Sequence, residues 1–229
     1  EAELVQNYYD EGNSVLKEEY YARKDGTREG KYTAYYESGS KMEEGEYKEG
    51  KREGIFTAYS EDGRKLEEAS YADDSLHGTR RLFYADSTLQ IEETHRKGLF
   101  HGSYKSWFED GRLREEGQYE DDAMKGVWKY YYPSGAIKEE VTFEANVENG
   151  PYKRYYESGR LESEGMLKDN KEAGLWKYYY ETGELKEEVE YLRDGRIESI
   201  VTVYNKEGEV IDEFVIRDDG TVDKKEDEI

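Results

Sequence analysis

"GLWKYYYETGELKEEVEY", residues 174–191, joins a run of aromatics to a run of glutamates through the turn-forming "ETG" at residues 181–183. "LWKYYY" is rich in residues that favour strands, and "ELKEEVEY" alternates apolar and polar positions. Glu, Lys and Leu also form helices well, but eight residues between two glycine turns are too few for a stable helix, so strand is the reading taken. The stretch therefore reads as strand, turn, strand, turn.

Weaker copies of it recur along the chain with a period of 24 residues. Gly30, Gly54, Gly78, Gly102, Gly126, Gly150 and Gly174 are evenly spaced, and Gly39, Gly63, Gly111, Gly135, Gly159 and Gly183 keep the same step, interrupted only by Ser87. Such a period announces a repeat architecture. Seven units run from residue 31 to about residue 198. Residues 1–30 read as a degenerate N-terminal cap repeat, 199–216 as a C-terminal cap hairpin and 217–229 as an acidic polar tail. The fold class expected is all-β: an elongated array of consecutive antiparallel hairpins forming a single twisted sheet, with stability shared between neighbouring units.

Parity gives a first register. The position that is aromatic in all seven units includes Tyr131, Tyr155 and Tyr179. A three-residue turn with a left-handed Gly and a bulge sets Tyr179 opposite Leu185. Trp176, Tyr178 and Tyr180 are then expected beside Lys186, Glu188 and Glu190 on the other face. Met42 and Leu66 shift the first apolar residue of their strands by one place, so additional local bulges are expected there.

The pattern seen in "GVWKYYYPSGAIKEE" and "GLWKYYYETGELKEE" resembles the MORN repeat variant of bacterial proteins, many labelled YwqK-type antitoxins. The resemblance covers nearly the whole chain. It implies a hairpin array with a role in protein interaction or scaffolding, and carries no catalytic residues with it. The chain departs from the pattern at "TRRLFYADSTLQIEE", residues 79–93, where a turn glycine is lost.

Composition narrows function further. The chain of 229 residues has 34% apolar and 39% charged residues and a net charge of −22. The 24 tyrosines argue against the disorder such numbers would otherwise suggest. A surface this negative is repelled by phosphate backbones and anionic headgroups, so nucleic-acid and membrane-surface binding are not expected, nor is membrane insertion. The absence of cysteine excludes disulfides and thiolate chemistry. The missing initiating Met and the resemblance point toward a processed chain of the periplasm, the cell envelope or the exterior.

Glutamate recurs at residues 44, 68, 92, 116, 140, 164 and 188. Equivalent residues of successive hairpins lie roughly 9–10 Å apart, about a Debye length at physiological salt, so the column needs no metal to be tolerated. One reading makes it an acidic strip that grips a basic protein, with Tyr104, Glu116, Trp128, Glu140, Tyr152, Glu164, Trp176, Tyr180 and Glu188 as the binding residues. The simpler reading makes each Glu an acceptor for a Tyr hydroxyl or turn backbone, since a residue required in every unit serves what every unit must do to fold.

A glycosidase pair needs two carboxylates in unlike environments within a cleft, which a seven-fold ladder does not provide, so no catalytic residues and no enzyme activity are expected. No cofactor or metal is expected either. His77 and His101, in "SLHG" and "LFHG", read as turn residues, and His95 as a ring packed in an apolar column. The aliphatic cap residues, among them Ile200, Val201, Val203, Val210 and Ile211, suit edge protection or self-association through this end. The function expected is a non-enzymatic protein-binding scaffold. Alternatives are a structural subunit of a larger cell-envelope assembly, an antitoxin-like neutraliser of a basic partner, and a glycan binder using Trp128 and Trp176.

Overall fold

The computed structural model describes residues 1–224, all strand and turn with no helix among them. The chain divides into two compact units. The first comprises residues 1–113 and 119–122; the second comprises residues 114–118 and those from 123 onward.

The first unit contains β1 (Glu3–Tyr8), β2 (Leu16–Ala22), β3 (Arg28–Tyr35), β4 (Lys41–Lys48), β5 (Lys51–Tyr59), β6 (Lys65–Ala72), β7 (Ser75–Phe83), β8 (Leu89–Arg96) and β9 (Leu99–Trp107). Each pairs antiparallel with its chain neighbours. The chain passes from one unit to the other within β10 (Leu113–Glu120). The second unit continues with β11 (Ala123–Tyr131), β12 (Ile137–Glu144), β13 (Val147–Tyr155), β14 (Leu161–Lys168), β15 (Lys171–Tyr179), β16 (Leu185–Tyr191), β17 (Ile197–Tyr204), β18 (Val210–Arg217) and β19 (Val222–Lys224). These also pair in sequence. The fold is the all-β array of consecutive hairpins that the 24-residue period implies.

Two turn types alternate. Within the repeat hairpin, Tyr180 N–H donates to Glu184 O and Gly183 N–H to Tyr180 O, both at 2.8 Å, so a three-residue loop closes with Gly183 left-handed. A bulge between Tyr178 and Tyr179 sets Tyr179 opposite Leu185, as parity suggests. Ser87 takes the same place with φ 72°, and its turn keeps both backbone bonds. Loss of the glycine thus leaves the turn intact. The other connection differs from the expected glycine turn. It is two residues long, as in Asp169–Asn170 with φ of 52° and 62°, both left-handed as a type I′ turn requires. Gly174, expected to close it, lies inside β15 at a positive φ.

Three further expectations are corrected. Met42 and Leu66 add no bulge of their own: they occupy the same bulge position that Lys186 takes in the hairpin of β15 and β16. His77 and His101 lie in β7 and β9, not in turns, because the turns are Asp73–Asp74 and Lys97–Gly98, which end four residues before Gly78 and Gly102. Within the supposed tail, residues 222–224 pair with β18; residues 225–229 lie outside the described chain.

Candidate functional site

The bulge has a consequence for side chains. The extra residue is Lys186 of β16, so Leu185 falls opposite Tyr179 on one face while Val189, of the same parity in sequence, lies on the other; Trp176 sits across from Val189 and Lys177 across from Glu188. Likewise Trp128 faces Val141 while Lys129 faces Glu140. The expected strip of rings beside glutamates is therefore split between the two faces of the sheet: a ring face and a glutamate face.

On the ring face the aromatics pack on small residues of the adjacent strand. A methyl built on Gly117 would sit inside the indole of Trp128, and one on Gly165 inside that of Trp176; Gly45 stands in the same relation to Phe56. Trp128 is 2% exposed and Trp176 4%, and their indole N–H groups donate to Gln118 O at 3.3 Å and Met166 O at 3.0 Å. In the second unit Val141, Leu167, Trp176 and Val189 form a core flanked by Tyr152 and Tyr178, with Val201 of β17 against it. In the first unit Tyr32, Ala34 and Phe56 do so. Tyr152 meets the Trp176 ring at 5.1 Å and donates its hydroxyl to Glu139; Tyr104 meets Tyr119 edge-on at 5.8 Å. Burial of Trp128 and Trp176 takes away the exposed platform a glycan would need.

On the glutamate face each member of the column accepts hydrogen bonds. Tyr131 OH donates to Glu116 at 2.7 Å, Tyr155 OH to Glu140 at 3.0 Å, Tyr179 OH to Glu164 at 2.8 Å and Tyr204 OH to Glu188 at 2.7 Å. In the first unit Tyr35 serves Glu19 and Tyr59 serves Glu44. Burial, reinforced by the carboxylate, pushes the phenols of Tyr59, Tyr131, Tyr155 and Tyr179 up to about 12. Phe83 and Trp107 have no hydroxyl to give. There Arg81 supplies both bonds, donating to Glu92 at 2.8 Å and Glu68 at 3.2 Å.

The second tyrosine of each "YY" pair has a different task. Tyr36, Tyr84, Tyr132 and Tyr156 donate to the carbonyls of Tyr59, Trp107, Tyr155 and Tyr179 at 2.7–2.8 Å, tying one turn to the next. Tyr180 reaches Tyr204 O at 3.5 Å. At the opposite edge, Asp74, Asp122, Asn146 and Asn170 accept from the backbone of Arg52, Phe100, Met124 and Glu148 at 2.7–2.8 Å. Sequence reading missed this clasp; its signal is an Asx at the second place of a two-residue turn.

The binding residues named from sequence thus fall into three places. Glu116, Glu140, Glu164 and Glu188 share one face. Trp128, Trp176, Tyr104 and Tyr152 belong to the other, and Tyr180 stands at a turn. The glutamate face of the second unit also carries what sequence reading overlooked. Val127, Met166 and Leu175 are about half exposed there, at 51%, 48% and 49%. With Pro151, Lys153, Glu164 and Lys177, Met166 and Leu175 line a shallow depression of about 260 Å³ over Gly165. Among the described residues no group of three or more His, Cys, Asp or Glu could hold a metal, and no helix could cross a membrane.

The family model described as "MORN repeat variant" matches residues 28–49, 100–121, 124–145, 148–169 and 173–192. No curated protein matches the chain. Among solved structures, one described as TcdB2-TccC3-Cdc42 is 11% identical over 96% of this chain, with a TM-score of 0.23. A Photorhabdus luminescens Tc holotoxin pore is 11% identical over 93%, with a TM-score of 0.21. The chain spans only 14% and 13% of those chains' lengths. Similarity this low carries no argument about function.

Proposed function

This chain is a MORN repeat protein, and from that premise we propose that it is a non-enzymatic scaffold that binds another protein across the glutamate face of its second unit. The observation that carries this reading is the exposed aliphatic row Val127, Met166 and Leu175, on a face where the glutamates are already engaged by phenols. Solvent-exposed aliphatics aligned along one face mark contact surfaces more often than the isolated ones found on any protein. In the first unit the corresponding first-strand positions are Lys31, Ile55, Thr79 and Ser103, of which only Ile55 is aliphatic. The net charge of −22 favours a basic partner by long-range attraction, which sets encounter rate and salt dependence more than final affinity.

The experiment is capture of a partner from the source organism by the intact chain and by Met166→Glu/Leu175→Glu, both substitutions at half-exposed positions. Circular dichroism establishes first that the variant is folded. The reading requires capture to drop at least about tenfold, a 1.4 kcal/mol change in affinity, while Ile55→Glu in the first unit leaves it unchanged. Equal capture by all three chains would refute it. A Glu116, Glu140, Glu164 and Glu188 to Gln variant, folded and still binding, would assign the glutamate column to folding alone.

A further inference from the structure

The hairpin of β7 and β8 departs from the repeat at three positions that lie together on the ring face. Arg80 replaces the ring found at Phe56, Trp128 and Trp176. Glu93 replaces the small or aliphatic residue found at Gly117, Val141 and Val189. His95 replaces the Tyr found at Tyr71, Tyr119 and Tyr191. The apolar contact of the regular units becomes an ionic one. Arg80 donates to Glu67 at 2.7 Å and to Glu93 at 2.9 Å, and Glu93 is 3% exposed.

His95 lies beside this pair at 5% exposure, its ring against Phe100 with centroids 4.6 Å apart. Nε2 is 3.8 Å from Glu93 Oε1, beyond hydrogen-bond reach, and Nδ1 has no hydrogen-bond partner. The charged groups around it come from every neighbouring element. Glu93 is on its own strand, Arg80 on β7 with Glu67 of β6 behind it, and beyond β9 stands Asp122, which accepts from Phe100 N–H at 2.7 Å. β9 itself presents the uncharged Phe100 and Tyr104.

Protonation would turn both ring nitrogens into donors in a place with no acceptor for Nδ1, beside Glu93, which shares Arg80 with Glu67. Burying a charged imidazole without a hydrogen-bond acceptor is costly, and opening the hairpin to water relieves that cost. We propose that His95 is an acid-sensitive latch: its protonation loosens the β7–β8–β9 segment of the first unit, while the second unit, with Leu167 and Tyr191 at the equivalent positions, stays closed.

The electrostatic balance agrees in direction. Burial holds the His95 imidazole below its ordinary 6.5, outweighing the opposing pull of Glu93. A histidine lowered in this way stabilises the fold fully above the unfolded value of 6.5, and that contribution is lost as pH falls below it.

The test is hydrogen exchange on the full chain at about pH 7.5 and about pH 5.5, either side of the ordinary imidazole midpoint, corrected for intrinsic exchange chemistry. Peptides covering residues 75–107 should open more at the lower pH, approaching about tenfold per pH unit, the limit for one proton. Peptides covering residues 161–191 should not. His95→Tyr, the residue the repeat itself uses there, should abolish the response, and a His77→Gln/His101→Gln variant should keep it. Acid response equal in both segments, or persisting in His95→Tyr, would overturn the latch. In the unmodified chain, a proton NMR titration of the three imidazoles that placed all of them at or above about 6.5 would do the same without any variant.

Discussion

The hairpin of β15 and β16 and that of β7 and β8 occupy equivalent places in the repeat and are held together by different chemistry. In the former, Trp176 lies on Gly165 and faces Val189, while the hydroxyl of Tyr179 holds Glu164. In the latter, Arg80 faces Glu93, and with Phe83 unable to donate, Arg81 holds Glu68 and Glu92. Backbone geometry hardly differs: both hairpins carry the same bulge and the same three-residue loop, with Ser87 in the left-handed place of Gly183. What the repeat preserves is a set of contacts, one filling the ring face and one satisfying the glutamate. Which residues make them is open, provided both partners change together.

That difference can be probed by substitutions of decreasing effect. Trp176→Ala removes a fully packed indole and is expected to cost about 3–5 kcal/mol, read as a lower urea midpoint for the second unit. Gly165→Ala forces a methyl into the same indole and should cost about 1–3 kcal/mol. The corresponding residue beside the irregular hairpin is already Ala69, on β6 across from Arg80, so Ala69→Gly there should change stability by no more than the roughly 1 kcal/mol intrinsic to glycine. Tyr179→Phe leaves Glu164 without its phenol and should cost about 1 kcal/mol. The reverse change, Phe83→Tyr, should add only a few tenths, because Arg81 and Lys65 already occupy Glu68.

The smallest effect is a dependence on alkaline pH. Tyr59, Tyr131, Tyr155 and Tyr179 are raised from 10.0 to about 12, so the folded chain holds these protons more tightly than the unfolded one. Their contribution is complete below pH 10 and is lost as pH rises through about 12. Urea midpoints measured across this range should fall, and should fall less when these tyrosines are changed to Phe.

The period, the strands and the bulged loop were legible in the sequence because they rest on local signals: glycine spacing, alternation, and aromatics beside a turn. The role of the glutamates was legible as the simpler of two readings, a hydrogen-bond acceptor for tyrosine. The sidedness was not. A single bulge reverses parity, so Trp176 and Glu188, even positions in the count, face opposite ways. The two-residue turns were hidden because Asp and Asn adopt the left-handed region without glycine, while Gly174 drew attention to a strand interior. The aliphatic row of Val127, Met166 and Leu175 was dispersed over three strands and becomes a row only in register. In the irregular hairpin the signal was present as "RR" where a ring belongs, but its meaning depended on Glu93, thirteen residues from Arg80.

The most direct measurement is a double-mutant cycle on Arg80 and Glu93, using urea unfolding of the full chain. Arg80→Tyr alone strands the buried Glu93 and should destabilise the first unit by about 3 kcal/mol. Glu93→Val alone should cost less, since Arg80 keeps Glu67. Together they install the kind of ring-and-valine pair seen at Tyr152 and Val141, and the double variant should return to within about 1 kcal/mol of the original or exceed it. Two losses that simply add would contradict the view that the repeat specifies contacts, with the residues chosen in pairs.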